Sequence, residues 1–133
     1  MATYNKFQPW AEYMVEGANV GSDQFVVALS NVAPTADLAT LSQITQVSYT
    51  YLSTRNISTS SSSQSAGTFS LVLTDLVLTS TGGPTGPFRY VVIYDDTVAG
   101  DPLVCWYDYG SSITLADGET LTVNFGANLF TLT

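Results

Sequence analysis

The sequence predicts an all-β domain: an antiparallel β-sandwich, with a jelly roll among the permitted topologies, carrying one N-terminal amphipathic helix. Three observations predict it. The stretch from Gly86 to Phe125 holds three apolar, aromatic-rich runs separated by turn-forming clusters, as antiparallel strands laid down one after another would. Turn-rich connections recur along the rest of the chain and cut it into seven or eight short strands in all. A helical repeat shows clearly only near the N-terminus. With 133 residues the size prior gives one unit, residues 1–20 as helix or arm and 21–133 as a single sandwich domain.

Between Tyr4 and Val20, Phe7, Trp10, Ala11, Met14 and Val15 fall at i, i+3, i+4, i+7 and i+8 and form one apolar stripe. Asn5 is the expected N-cap, Pro9 sits close to the start, and Gly17 or Gly21 ends the helix. Such a helix lies across the β-structure, or it serves as an arm that docks on a neighbouring subunit. In the second case Tyr4, Phe7, Trp10, Tyr13 and Met14 are the candidate interface residues. Gln24 to Ser30 is β-branched and reads as the first strand, and Asn31 to Asp37 is a turn in which Pro34 excludes regular pairing. Leu38 to Ile44 fits one helical turn with Leu38 and Leu41 inward. Thr45 to Ile57 alternates as a strand, with Val47, Tyr49 and Tyr51 on one face. The low-complexity segment Ser58 to Gly67 reads as a polar edge strand followed by a loop.

From Thr68 to Thr79 the apolar residues change phase. Phe69, Leu71 and Leu73 share one face, but after Asp75 the apolar positions are Leu76 and Leu78. A bulge or bend near Thr74-Asp75 keeps both halves facing inward and lets one strand serve two sheets. Ser80 to Pro87 breaks the pairing. Phe88 to Tyr94 is apolar on both faces, so both are covered, by a second sheet plus the helix or by a partner subunit. Leu103 to Tyr109 returns to pair with it in the best hairpin of the sequence. After Gly110 come a short strand with Ile113 and Leu115, a turn at Asp117-Gly118, a strand carrying Leu121, Val123 and Phe125, and a final strand from Leu129 to Thr133.

The composition limits function. Hydrophobic residues make up 45% and charged residues 11%, against roughly 25% charged in an average domain. A surface so poor in charge favours association, which points to a homo-oligomer. The net charge is −8, with Lys6, Arg55 and Arg89 as the cations. Three scattered cations give neither the phosphate-neutralising cluster of a nucleic-acid binder nor a polybasic membrane patch. Neither a signal-peptide pattern nor an apolar run near spanning length is visible, so synthesis in the cytoplasm and no membrane partner are expected.

Histidine is absent, which removes Ser-His-Asp and Cys-His nucleophilic chemistry. The single cysteine, Cys105, allows no intrachain disulfide and reads as a small buried hydrophobe. A carboxylate pair or a calcium site could be drawn from Asp95, Asp96, Asp101 and Asp108, but the spacing matches no EF-hand and such residues are ordinary in β-turns. Gly82 to Gly86 has no lysine and no following helix, so it is no phosphate loop. The expectation is a protein that is not an enzyme, with no catalytic residue, cofactor or metal. Eight tyrosines and two tryptophans build core and subunit contacts or line a protein- or carbohydrate-binding surface.

The segments YNKFQPWAEYMVEGAN, SQSAGTFSLVLTDLVLTSTGG, GPFRYVVIYDDT and WYDYGSSITLADGETLTVNF resemble a group of small structural proteins from the virion-assembly regions of tailed bacteriophages. The resemblance extends over most of the chain and is most specific at Gly86 to Thr97 and Asp108 to Phe125. It implies a capsid cement or decoration protein on the exterior of the virion, with the major capsid protein as partner. It also implies an oligomeric sandwich with a terminal arm, which Met1 to Val20 would suit. A trimer is favoured over a dimer. The alternatives are a tail component, such as a tube, baseplate or fibre-tip module, and a receptor- or carbohydrate-binding module.

Overall fold

A computed structural model describes residues 2–133. Among them the chain order is β1 (Thr3–Lys6), α1 (Trp10–Glu16), β2 (Phe25–Ser30), a 3-10 turn (Leu41–Gln43), β3 (Asn56–Ile57), β4 (Thr59–Ser65), β5 (Thr68–Leu73), β6 (Leu76–Thr79), β7 (Thr85–Asp95), β8 (Leu103–Leu115), β9 (Thr120–Val123) and β10 (Phe130–Leu132). The protein is an all-β antiparallel sandwich with one α-helix. One layer is a five-stranded sheet in the order β1-β8-β7-β2-β3; the other is made of a three-stranded sheet, β10-β5-β4, and the pair β6-β9. β7 and β8 are hairpin partners at the centre of the larger sheet.

The β7–β8 hairpin organises the molecule, and its two-sided apolarity has a direct cause. Val91 and Ile93 face the inner core, where they meet Leu71, Leu73 and Leu78 from the opposite layer. Tyr90, Val92 and Tyr94 face the other way, into a second core with Phe7, Val26 and Trp106. The cover on that outer face is a segment of irregular chain carrying Ala36, Leu38, Leu41 and Ile44. A shift in pairing between Phe88 and Tyr90 moves Phe88 into the inner core, on the opposite side from Tyr90. Across from it, β8 runs through Gly110 without stopping. Gly110 takes φ +83, and its N–H donates to Asp108 Oδ1 at 2.8 Å, so the expected break is a bulge.

The phase change after Asp75 does what the pattern predicts. β5 pairs with β4 and β10, whereas β6 pairs with β9, so one stretch of chain serves two sheets across Thr74-Asp75. Asp75 also holds the bend, accepting the Phe125 N–H at 3.1 Å. The serine-rich segment is the ordered edge strand β4, and Ala66 and Gly67, both with positive φ, turn it directly into β5.

Other expectations need correction. The helix does not start at Asn5: Tyr4 and Asn5 belong to β1, which pairs with β8 from Thr3↔Asp108 to Lys6↔Cys105. A cap at Asn5 would place Pro9 at the fourth helical position, where an N–H is needed and the ring meets the preceding carbonyl. The structure instead uses Pro9 as the N-cap, at φ −63, and the helix has only 7 residues. Thr45 to Ile57 is not one strand. Its hydroxyls bond locally, as with Ser48 Oγ and Thr50 Oγ1 at 2.9 Å, which competes with a ladder. Tyr49 fastens the segment to β2 by accepting the Leu29 N–H at 2.9 Å and donating to Gln46 Oε1 at 2.7 Å. The Leu38–Ile44 turn shrinks to the 3-10 turn, whose start is closed by a capping box between Thr40 and Gln43.

Candidate functional site

The five residues expected at an interface divide by environment. Phe7 and Trp10 are enclosed by the chain's own packing. Phe7 lies against Trp106 with ring centroids 4.5 Å apart, and Trp10 meets Phe25 and Phe130 edge-on, each at 6.2 Å. Their apolar area is therefore spent within the chain, Trp10 in the inner core and Phe7 in the outer one. Tyr13 and Met14 are half-buried against the inner core. Tyr4 is 39% exposed and stands edge-to-face with Tyr107 at 5.6 Å. The stripe remains open mainly at Val15, which is 77% exposed.

Of these residues only Met14 lines a mostly apolar depression of about 370 Å³ beside α1, formed with Ala18 and Val20 on one side and Phe69 of β5 and Leu132 of β10 on the other, with Asn19 and Ser62 as its polar members. Leu132, 47% exposed, sits on the edge strand of the smaller sheet. No ionisable side chain lines this depression among the described residues. The sequence pattern found the helical side, but not Phe69 and Leu132. Strand alternation gives each of them a face without revealing that β10 pairs with β5 beside α1.

The acidic residues do not form one site. Asp108 makes a two-point ion pair with Arg89, at 2.8 and 3.2 Å, and this bond holds its carboxyl below the ordinary range. Asp96 and Asp101 are neighbours on the β7–β8 turn, where partial burial and the Asp96 charge raise Asp101. Asp95 is fully buried. Its Oδ1 accepts N–H groups from Thr97 at 3.0 Å and Val98 at 3.4 Å, while Oδ2 accepts none. Burial, then the neighbouring Asp23, pushes Asp95 up to about 7. Asp23 in turn accepts the Asn19 N–H at 3.0 Å. Asp23 thus brings the turn after α1 close to the end of β7, and no local pattern marks it as a neighbour of Asp95. Among the described residues no group of three or more His, Cys, Asp or Glu is placed to hold a metal ion. Cys105 is completely buried, and burial pushes its thiol up, which suppresses the thiolate.

A second depression, about 670 Å³, opens where β1 and β8 face β9 and the chain that comes after it. No helix among the described residues is long and apolar enough to cross a membrane. Fold and surface together define an antiparallel β-sandwich with one short helix, an apolar depression beside that helix and a tyrosine-lined cleft at the β1 edge. Comparison with protein-family models, with characterised proteins and with solved structures finds no match.

Proposed function

We propose that the chain is a capsid cement or decoration protein of a tailed bacteriophage, seated as an oligomer on the outside of the shell and binding the major capsid protein. The observation that carries this reading is the uncharged apolar surface at Met14, Ala18, Phe69 and Leu132, on a chain with only 11% charged residues. Exposed apolar side chains that meet across a helix and a sheet edge favour burial against another protein surface. The sequence resemblance gives that surface its biological setting. The mechanism is mechanical: a protein that binds the assembled shell and not its free subunits stabilises the shell by mass action. A stable contact needs about 800 Å² from each partner, a modest part of the 6619 Å² that the chain exposes.

The test uses capsids of the encoding phage prepared without this protein, mixed with the purified chain and sedimented. The chain should pellet with the capsids and raise the temperature at which they disrupt. Leu132→Asp, at an exposed position of that surface, should fold normally and remain in the supernatant. A wild-type chain that stays in the supernatant would refute the proposal.

A further inference from the structure

We propose that the cleft at the β1 edge binds a neutral carbohydrate. This does not depend on the capsid reading, and the cleft shares no lining residue with the depression beside α1. One wall is aromatic. Tyr4 of β1 and Tyr107 of β8 are direct cross-strand partners, and Tyr109 lies two residues further along β8, so all three project from the same face of the sheet. The opposite wall is uncharged and mixed: Thr122 of β9, Asn124 and Asn128 supply its polar groups, between Phe125 and Leu129.

The chemistry of this lining selects the ligand. Pyranose rings present an apolar C–H face that stacks on an aromatic ring and a rim of hydroxyls that bond to amides and hydroxyls. The Asn124 Oδ1 accepts the Gly126 N–H at 2.7 Å, which fixes the amide and leaves its NH₂ as a donor. The loop is held at both ends, by Phe125 N–H on Asp75 at 3.1 Å and Leu129 N–H on the Leu71 carbonyl at 2.7 Å, so the polar wall is formed in advance. The volume of about 670 Å³ falls within the ~300–1,000 Å³ of small-ligand sites.

Charge decides between neutral and ionised ligands. None of the ten lining residues is charged, so an ionic ligand would lose hydration without gaining a counter-charge. The net charge of −8 adds a general repulsion against acidic sugars. A neutral glycan suffers neither cost.

The experiment is saturation-transfer NMR on the full chain with a panel of neutral mono- and disaccharides (glucose, galactose, mannose, N-acetylglucosamine, maltose, lactose), followed by titration of the best binder with ¹⁵N-labelled protein. At least one sugar should show transfer, with shifts concentrated at 122–129 and at Tyr109. Tyr109→Ala should weaken that binding about tenfold, and Asn128→Ala should weaken it while leaving the remaining spectrum unchanged. Sialic acid and glucuronic acid should bind more weakly than their neutral counterparts. The proposal is overturned if no sugar in the panel shows transfer, if binding survives both substitutions unchanged, or if the cleft takes an extended peptide and no sugar.

Discussion

Replacing Asp95 by asparagine should stabilise the protein at neutral pH. Asp95 is 0% exposed, and its folded-state pKa of about 7 stands against 3.8 for the free group. Between those two values the folded chain holds a proton that the unfolded chain has released, so stability falls as pH rises. The slope reaches about 1.4 kcal/mol per pH unit. Summed over the window from pH about 4 to about 7, the loss is at most about 4 kcal/mol, and it persists at higher pH. Asparagine keeps the carbonyl oxygen that accepts the Thr97 and Val98 N–H groups and carries no charge. Urea unfolding followed by the fluorescence of the buried Trp10 and Trp106 measures the effect. At about pH 4.5 the two proteins should differ by less than about 1 kcal/mol, and at about pH 8 Asp95→Asn should be the more stable by about 2–4 kcal/mol. Asp37 and Asp108, whose carboxyls are lowered by hydrogen bonds, give slopes of the opposite sign at acid pH that cancel in the difference. A gap that does not widen with pH, or a variant that is less stable at about pH 8, would refute the reasoning.

Three further outcomes are expected. Leu71→Ala, at a fully buried position of the inner core, should cost about 2–5 kcal/mol in denaturant unfolding; a loss below about 1 kcal/mol would contradict the packing between layers. Gly86→Ala should destabilise more than Gly110→Ala, because both have positive φ but only at Gly86 would a Cβ lie 2.7 Å from a backbone oxygen, that of Ile113. The backbone strain alone is worth about 1–3 kcal/mol, and equal losses in thermal unfolding would contradict the geometry. Cys105 should resist a thiol reagent in the folded protein at mildly alkaline pH and react promptly in urea, since burial both raises its pKa and blocks access; labelling of the native chain at the rate of a free thiol would place β8 elsewhere.

The parts of the fold legible in the sequence are those set by period and by turn chemistry. The β7–β8 hairpin follows from apolar runs bounded by Asp95-Asp96 and Gly100-Asp101-Pro102, and the switch between sheets follows from the phase change at Asp75. Three features are not legible, each because a long-range contact outweighs a local pattern. The N-terminal stripe matches a helix, yet pairing with β8 captures Tyr4 to Lys6, and Pro9 confines the helix to Trp10 and beyond. Val47, Tyr49 and Tyr51 alternate as in a strand, but side-chain bonds to β2 and between nearby hydroxyls hold that segment irregular. The two-sided apolarity of β7 calls for a second sheet plus the helix, or a partner subunit, as its cover, whereas Leu38, Leu41 and Ile44 from a connecting segment cover the outer face. For the candidate surfaces, the pattern marks Met14 and the wealth of tyrosine. The meeting of α1 with β10, and of β1 with the loop after β9, depends on strand order, which alternation does not encode.

The most direct test of the capsid reading is the copy number of this chain in purified particles of the encoding phage, measured by quantitative mass spectrometry against the major capsid protein. A decoration protein should be present in copies comparable in number to the capsid subunits. A chain that is absent, or present only in the small numbers of a tail tip, would contradict the account and move the search for its partner to the tail or away from the particle.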